Sequence, residues 1–562
     1  MNGPDDDVFE IEIYIKKSEL FSCHIDDIRH SQNMPGANHP DLTTLLARVE
    51  RLEGELALAK AEIKRKDRII EALQHRLFGP SSEKLDPAQL QLMFDELVLG
   101  KPAPSPDQSA GETSAPEGEK PNVAKIRRTK ADRFPKNLKI IVEAVLIPDE
   151  VDANPNDYDE ISEEYHDELD VIKPEMIWRR TIRKKFVLKA DKTRPPVIAP
   201  APLPSIPGTL CAPALAAQII VDKFEDHLPH YRQSNRFRRR YDSDIGRQTL
   251  NTWTHATAEF LKPIDQAIKR EVLRATELQI DETPIDYLSP GHGSTKEGRL
   301  WVYRDAVTGN CYFDWHAGRG AKYLLEFLGY DEQTNTIAFQ GDIQCDGYVV
   351  YESVAGRFDG VRLAGCLAHI RREYVGVGTM APEVTIPVLL YIQQIYFIES
   401  KLRQSATRET AAPPACRELI RRSRSRPIAD ELHGFLLEYR VKHLPHGAIG
   451  EAITYTLNQW PKFLVCLEQG VLEIDNNLVE NMIRPTKLGA KNWMFFGNLE
   501  SGTNNALFYT LLANCRAHGL EPETYLTEVI KRLPHDATPA QAAELTPARI
   551  AAARHAAAEQ VA

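Results

Sequence analysis

Leu42, Leu45, Val49, Leu52, Leu56, Ala59, Ile63, Lys66, Ile70, Leu73 and Leu77 follow one another at alternating three- and four-residue steps, and ten of these eleven positions are apolar. That is the a/d seam of a coiled coil. At 1.5 Å per residue the run spans roughly 50 Å. A stripe of that length is covered either by its own domain or by a partner helix, and its length favours a homo-oligomer joined through a coiled coil over 41–78. Gly79 and Pro80 end the run. A short helix follows, and then residues 101–121, rich in Pro, Ser, Gly and Glu, read as disordered. Residues 79–134 are therefore expected to hold a short helix and a disordered basic linker. Residues 1–40 show no sustained period and are read as a weakly ordered extension.

A chain of 562 residues is too long for one core, and 42 % apolar content is enough to fill several. Its eight cysteines stand singly, without a CxxC pair, which suits a reducing cytoplasm. There is no run of about 18 apolar residues, and the start MNGPDDD is acidic, so neither a membrane span nor a signal peptide is expected. The net charge of -11 would argue against a nucleic-acid partner if it were evenly spread. Instead eleven acidic residues and no Lys or Arg fall between 149 and 170, while basic clusters occupy 125–139, 179–194 and 232–247. Local patches therefore decide the partner.

Residues 135–205 combine the acidic stretch with the alternating RRTIRKKFVLKA, read as a β-ribbon, and a proline-rich connector. Over 206–270 an amphipathic helix, the segment PHYRQSNRFRRR, a polar turn YDSDIG and the helical RQTLNTWTHATAEFL succeed one another. Helices joined by a short Gly-containing turn look like a helix-turn-helix. A plain helical hairpin reads the same way; the cluster Arg236, Arg238, Arg239, Arg240 and Arg247 favours DNA.

Between 277 and 367 the rhythm changes to short strands interrupted by helices, an α/β domain with a mixed sheet. Asp281 follows LQI and Asp346 follows IQC. An Asp at a strand end either caps a turn or faces a site. Glu480, within EIDNNLVENMIRPTKLGAKNWMFFGN, is a third acid among amides and cations. Three carboxylates within ~4 Å would repel by roughly 4 kcal/mol per pair at an effective dielectric near 20, so such a cluster needs cations. Mg²⁺ accepts carboxylate oxygens and keeps room for a phosphate, and two such ions suit phosphodiester chemistry. Spacing alone does not bring the three acids together.

The passages LQIDETPIDYL, GRLWVYRD, IQCDGYVVYES, AGCLAHIRREY, LEIDNNLVENMIRPTKLGAKNWMFFGN and LLANCRAHGLEPETYL, in this order, resemble the transposases of insertion-sequence family sixty-six, the TnpC type, across most of 42–535. The resemblance implies a multidomain α/β protein with an RNase H-like mixed-sheet catalytic core over 271–500. A helical insertion at about 381–465 would interrupt that core, and a C-terminal helical region and tail would occupy 501–562. It assigns a D, D, E triad to Asp281, Asp346 and Glu480, as catalytic residues and as ligands of Mg²⁺ or Mn²⁺, two ions being expected. Arg484 lies one helical turn after Glu480. Lys487 and Lys491 follow, with Pro485 expected to end or kink the helix. These three and Arg371 and Arg372 are expected to contact DNA. His369 is a further candidate, more readily read as structural; Glu282 and Asp342 compete with the triad for metal. Relatives carry a four-cysteine zinc segment, but here the matching positions are Asn154, Asp157, Leu188 and Asp191. No zinc is expected, because a structural site needs closed N/S ligation.

The implied function is a DNA transposase that binds terminal inverted repeats, cleaves at the ends and joins them to target DNA, alongside accessory transposition proteins of the same element. Two alternatives stay open: a catalytically inactive DNA-binding repressor, and a metal-dependent nuclease without joining activity.

Overall fold

The computed structural model describes residues 197–559 apart from 290, 292, 379 and 405–411, together with 174–186 and isolated positions at 51, 153, 156, 189 and 195. The chain divides into two compact units, Met1–Gln89 and Leu90–Ala562, and every element below belongs to the second. The coiled-coil seam, the extension, the linker and the four positions aligned with zinc ligands lie outside the described residues.

A two-stranded ribbon comes first, β1 (Lys185–Phe186) antiparallel to β2 (Val197–Ile198). Three helices follow: α1 (Pro213–Phe224), α2 (His230–Tyr241) and α3 (Arg247–Val272). Asp242, in the left-handed region at φ 49°, closes α2 and starts the turn to α3. Asp tolerates that conformation better than most residues.

The central sheet contains β3 (Glu277–Leu288), β4 (Thr295–Asp305), β5 (Cys311–His316), β6 (Gly341–Gln344) and β7 (Val361–Ala364) in the order β5-β4-β3-β6-β7. The first three pair antiparallel, and β6 and β7 join parallel to β3. Short helices α4 (Ala321–Phe327) and α5 (Val349–Ala355) make the crossovers, as parallel neighbours require. Gly341 opens β6 at φ 148°, where an added Cβ would fall 2.0 Å from the Thr276 carbonyl oxygen. Only glycine suits that approach.

After β7 come α6 (Leu367–Val377) and then the stretch read as a helical insertion. It holds α7 (Pro382–Gln404), α8 (Pro414–Ile420), a π-helical turn (Arg421–Ser425), α9 (Arg426–Arg440) and α10 (Ala448–Glu468). The chain returns to the sheet in α11 (Asn477–Trp493) and α12 (Leu499–Ala517). It ends in α13 (Pro522–Arg532), α14 (Pro539–Ala543) and α15 (Pro547–Glu559). Among the described residues no helix is long and apolar enough to cross a membrane.

An edge strand leaves unpaired backbone groups, and β5 meets this need with side chains from α12. Asn514 accepts from the Cys311 amide at 3.0 Å and donates to the Cys311 carbonyl at 2.7 Å, while Thr510 accepts from the Phe313 amide at 2.9 Å. All of these groups are buried. Asn514→Ala strips two buried backbone groups of partners, so a loss of about 3 kcal/mol in urea unfolding is expected; an unchanged midpoint would show that water replaces the amide.

Candidate active site

The β3–β6 register brings the first two acids together. Gln279 stands opposite Gln344 on adjacent parallel strands, and Asp281 and Asp346 lie two positions beyond each. Neighbouring strands are only about 4.8 Å apart. The two glutamines are buried and bonded to one another, Gln279 Nε2 donating to Gln344 Oε1 at 2.7 Å. They also hold the approach to α11. Gln344 Nε2 donates to the Glu473 carbonyl at 2.7 Å, Gln279 Nε2 reaches the Asp475 carbonyl at 3.4 Å, and the Leu367 amide donates to the Ile474 carbonyl at 2.9 Å. Cys366 Sγ donates to the buried Asn476 Oδ1 at 2.8 Å. The run Glu473 to Asn476 is thus fixed to the sheet, and α11 begins one residue later with Glu480 in its first turn, where the helix dipole favours a carboxylate.

The electrostatics of the site link these acids with Glu282. Burial, reinforced by Glu282 and Glu480 and more weakly by Asp346, pushes the Asp281 carboxyl up to about 8. Burial and then Asp346 raise Glu282 as well. Glu480 is met from α6 by Arg372 at 3.4 Å and by His369 Nε2 at 3.7 Å. His369 is held below its ordinary range by burial and by Arg372, and its buried Nδ1 has no hydrogen-bond partner. Glu480 is therefore paired across the site rather than along its own helix with Arg484.

The remaining nominees fall into distinct groups. Glu282 is occupied by Arg319 at 2.7 Å and Tyr351 at 3.0 Å. Asp342 takes a two-pronged contact from Arg362 at 2.8 and 2.9 Å at the opposite end of β6, a structural role. Sequence reasoning missed Arg319, whose guanidinium lies 3.6 Å from the Tyr348 ring centre, and the Gln279–Gln344 pair. The aromatics in DGYVVYES directly after Asp346 were the available signal for the former.

Pro485, expected to end or kink the helix, does not end it: α11 continues through it to Trp493. Proline removes one hydrogen bond, to the carbonyl of Asn481, and Asn481 is exposed so water can take that place. Glu480, Arg484, Lys487 and Lys491, at steps of four, three and four, consequently share a face. Arg484 and Lys491 are exposed, while Lys487 Nζ donates to the Pro284 carbonyl at 2.6 Å. Arg371 is half-buried and near Tyr396.

Around the turn between α2 and α3 the arginines are not equivalent. Arg236 points inward onto buried Asp222, and Arg238 pairs with Asp244. Arg239, Arg240 and Arg247 are exposed. Arg236 thus ties α2 to α1. Arg236→Ala should cost roughly 2–4 kcal/mol, since it leaves Asp222 buried and unpaired. Arg239→Ala should leave stability unchanged and reduce the slope of log affinity against log salt for DNA by about 1. Unfolding and salt-titrated binding of both variants separate the two roles; equal behaviour of the pair would overturn this division.

The chemistry of the donors suits hard divalent cations. Carboxylates outnumber the cations that reach them, and Asp281 stays ionised at neutral pH only if another positive charge arrives. Among the described residues no three His, Cys, Asp or Glu side chains form a ready-made metal cage. Mg²⁺ is commonly bound through one or two carboxylates together with substrate phosphates.

Comparison with known proteins gives three family matches: Transposase IS66 family over residues 208–504, IS66 C-terminal element over 510–548, and Transposase C of IS166 homeodomain over 67–142. The last lies N-terminal to the α1–α3 region that the sequence pattern singled out for DNA. Similar proteins of Sinorhizobium fredii (strain NBRC 101917 / NGR234) include the uncharacterized protein y4jD, 30 % identical over 66 % of this chain and 72 % of its own length. The uncharacterized protein y4qI is 27 % identical over 88 % and 91 %.

Proposed function

The chain belongs to the IS66 family of transposases, and from that premise we propose that it binds the terminal inverted repeats of its element, cleaves DNA there and joins the ends to target DNA, using Asp281, Asp346 and Glu480. The observation that supports the assignment is the geometry that draws these carboxylates from β3, the residues just after β6 and α11: the β3–β6 register and the hydrogen bonds that fix the entry of α11 to the same strands. The strand order, three antiparallel strands followed by two parallel ones, supports an RNase H-like core.

In the first step water breaks a phosphodiester at the element end and leaves a 3′-hydroxyl and a 5′-phosphate. That hydroxyl next attacks a target phosphodiester, loses its proton and displaces a target 3′-oxygen, so one bond forms as one breaks. Asp281, Asp346 and Glu480 would hold magnesium or manganese, which when bound neutralises them and polarises the phosphodiester. Arg484 and Lys491, on the face of Glu480, hold the DNA backbone. Arg372 and His369 orient Glu480 from the far side. Arg319 secures Glu282, so the second acid beside Asp281 is not free to compete. The basic residues Arg239, Arg240 and Arg247 contribute salt-dependent affinity. Oligomerisation through the seam at 41–78 would bring two ends into one complex, with accessory proteins of the element assisting.

The test is incubation of the purified chain with labelled element-end DNA and a target plasmid, in Mg²⁺, Mn²⁺ or chelator. Metal-dependent joined product that disappears in Glu480→Gln is expected. Cleaved product without joining would indicate a nuclease, and tight binding without any product, accessory proteins included, would indicate a repressor.

A further inference from the structure

A cleft of about 370 Å³ lies beyond the far end of α11, between α1–α3 and the start of α12, and its walls include Lys223, His230, His255, Trp493, Phe495 and Asn505. Trp493 lies thirteen positions after Glu480 on α11, which is about 20 Å at 1.5 Å per residue. That distance matches roughly six nucleotides at 3.4 Å each. The loop after α11 is locked in place, since the Phe496 amide donates to the Asp286 carbonyl at 2.8 Å and the Leu288 amide to the Phe496 carbonyl at 2.9 Å. Met494 adopts φ 65° at the bend, a conformation that costs a side-chain-bearing residue energy and is kept where the surroundings impose it.

The cleft's chemistry divides into two halves. One is cationic: Lys223 Nζ donates to Asn505 Oδ1 at 3.4 Å and has no carboxylate partner among the described residues. Burial lowers this lysine to about 8, the behaviour of a cation that lacks a counter-charge. Burial also holds both histidines below their ordinary range. The other half is aromatic, with Trp493 stacked on Phe496 at 5.0 Å between ring centres and its buried Nε1 unpartnered. Phe495 is half-buried beside it.

We propose that this cleft binds one unstacked nucleotide of the DNA, its phosphate on Lys223 and its base against Trp493 and Phe495. The proposal extends the transposase reading and rests on it for the identity of the polymer. An anion alone would not need the aromatic wall, and an apolar ligand would not need the lysine. Bases in an intact duplex are stacked, so the cleft receives only an unpaired or extruded nucleotide, and aromatic stacking of this kind is tolerant of sequence.

Calorimetric titration of the full chain with 5′-phosphorylated thymidine dinucleotide, thymidine and inorganic phosphate tests it without relying on cleavage. The dinucleotide should bind at least tenfold more tightly than either fragment. Phe495→Ala and Lys223→Met should each weaken it at least tenfold, and Lys223→Arg should restore it. Wild-type protein that binds the dinucleotide no better than phosphate, or variants that bind as wild type does, would overturn the proposal. Should a variant melt early, photocrosslinking of a 5-iodouracil dinucleotide to the unaltered chain decides instead, with attachment at 493–496 expected and attachment elsewhere excluding the cleft. Glu480→Gln should bind the dinucleotide normally, so that lost cleavage with intact binding bears on the transposase reading alone.

Discussion

Asp281→Asn is expected to abolish cleavage and joining, by on the order of 10³-fold or more, and at the same time to make the chelator-treated protein harder to unfold by about 1–3 kcal/mol. The two effects have one cause. Asp281 is buried beside Glu282, Glu480 and Asp346, and a buried like-charge cluster is repulsive in the absence of cations. Without cations the folded chain keeps Asp281 there only by having it take up a proton, which costs stability at neutral pH, and Asn in its place preserves the shape and avoids that cost. The same charge is what the proposed chemistry requires, and about 4 kcal/mol of lost transition-state stabilisation corresponds to a thousandfold. Divalent cation should then stabilise the wild-type chain by about 2.7 kcal/mol at one hundred times its dissociation constant, and Asp281→Asn should lose most of that gain. Urea unfolding with and without Mg²⁺, beside the joining assay, reads both signs. A variant that is less stable than wild type in chelator and still active would remove Asp281 from the site.

What could be read beforehand divides along physical lines. Strand alternation and the position of Asp346 just past β6 are local properties, so they were visible in the residue order; Asp281, expected at a strand end, instead lies inside β3, which pairs with β4 well beyond it. Meeting of the acids depends on a strand register set by Gln279 and Gln344, two residues that look like ordinary polar positions until they face one another. Pro485 was read as a break because local propensity says so, yet the packing of Val479, Ile483 and Thr486 carries α11 past it. Arg236 belongs to a basic run read as favouring DNA, and the helix period turns it towards Asp222. Asn514 and Thr510 sit in a helix that is buried nearly all round, where polar residues look misplaced until the unpaired edge of β5 is seen beside them. Charge in sequence thus announces a patch without saying which members face outward, and that decision is made by tertiary partners.

Arg421→Met is expected to destabilise the protein by roughly 3–5 kcal/mol and to depress joining without Arg421 touching DNA. In RRSRSR, residues 421–426, nothing distinguishes it from its neighbours; the π-helical turn directs Arg421 and Ser425 inward while Arg422 and Arg424 stay exposed. Its side chain is 0 % exposed and takes both oxygens of Glu399, itself 1 % exposed, at 2.7 and 2.9 Å. Its remaining nitrogen donates to the carbonyls of Cys466, Gln469 and Leu472 at 3.0, 2.6 and 2.7 Å. Those carbonyls end α10 and lead directly into Glu473, which Arg403 and Arg417 hold at 2.7 and 2.9 Å. One buried cation therefore fastens the inserted helices to the segment that delivers Glu480. Breaking such a pair from one side leaves Glu399 in the interior with only the more distant Arg417, at 3.8 Å, as a counter-charge, which is the costly case. Arg421→Met with Glu399→Leu removes both charges and should recover part of the loss, the orphaned carbonyls accounting for the remainder. Arg424→Met, exposed in the same run, should stay within about 0.5 kcal/mol of wild type. If Arg421→Met and Arg424→Met unfold alike, the buried pair contributes nothing and the insertion is fixed to the catalytic helix by other contacts.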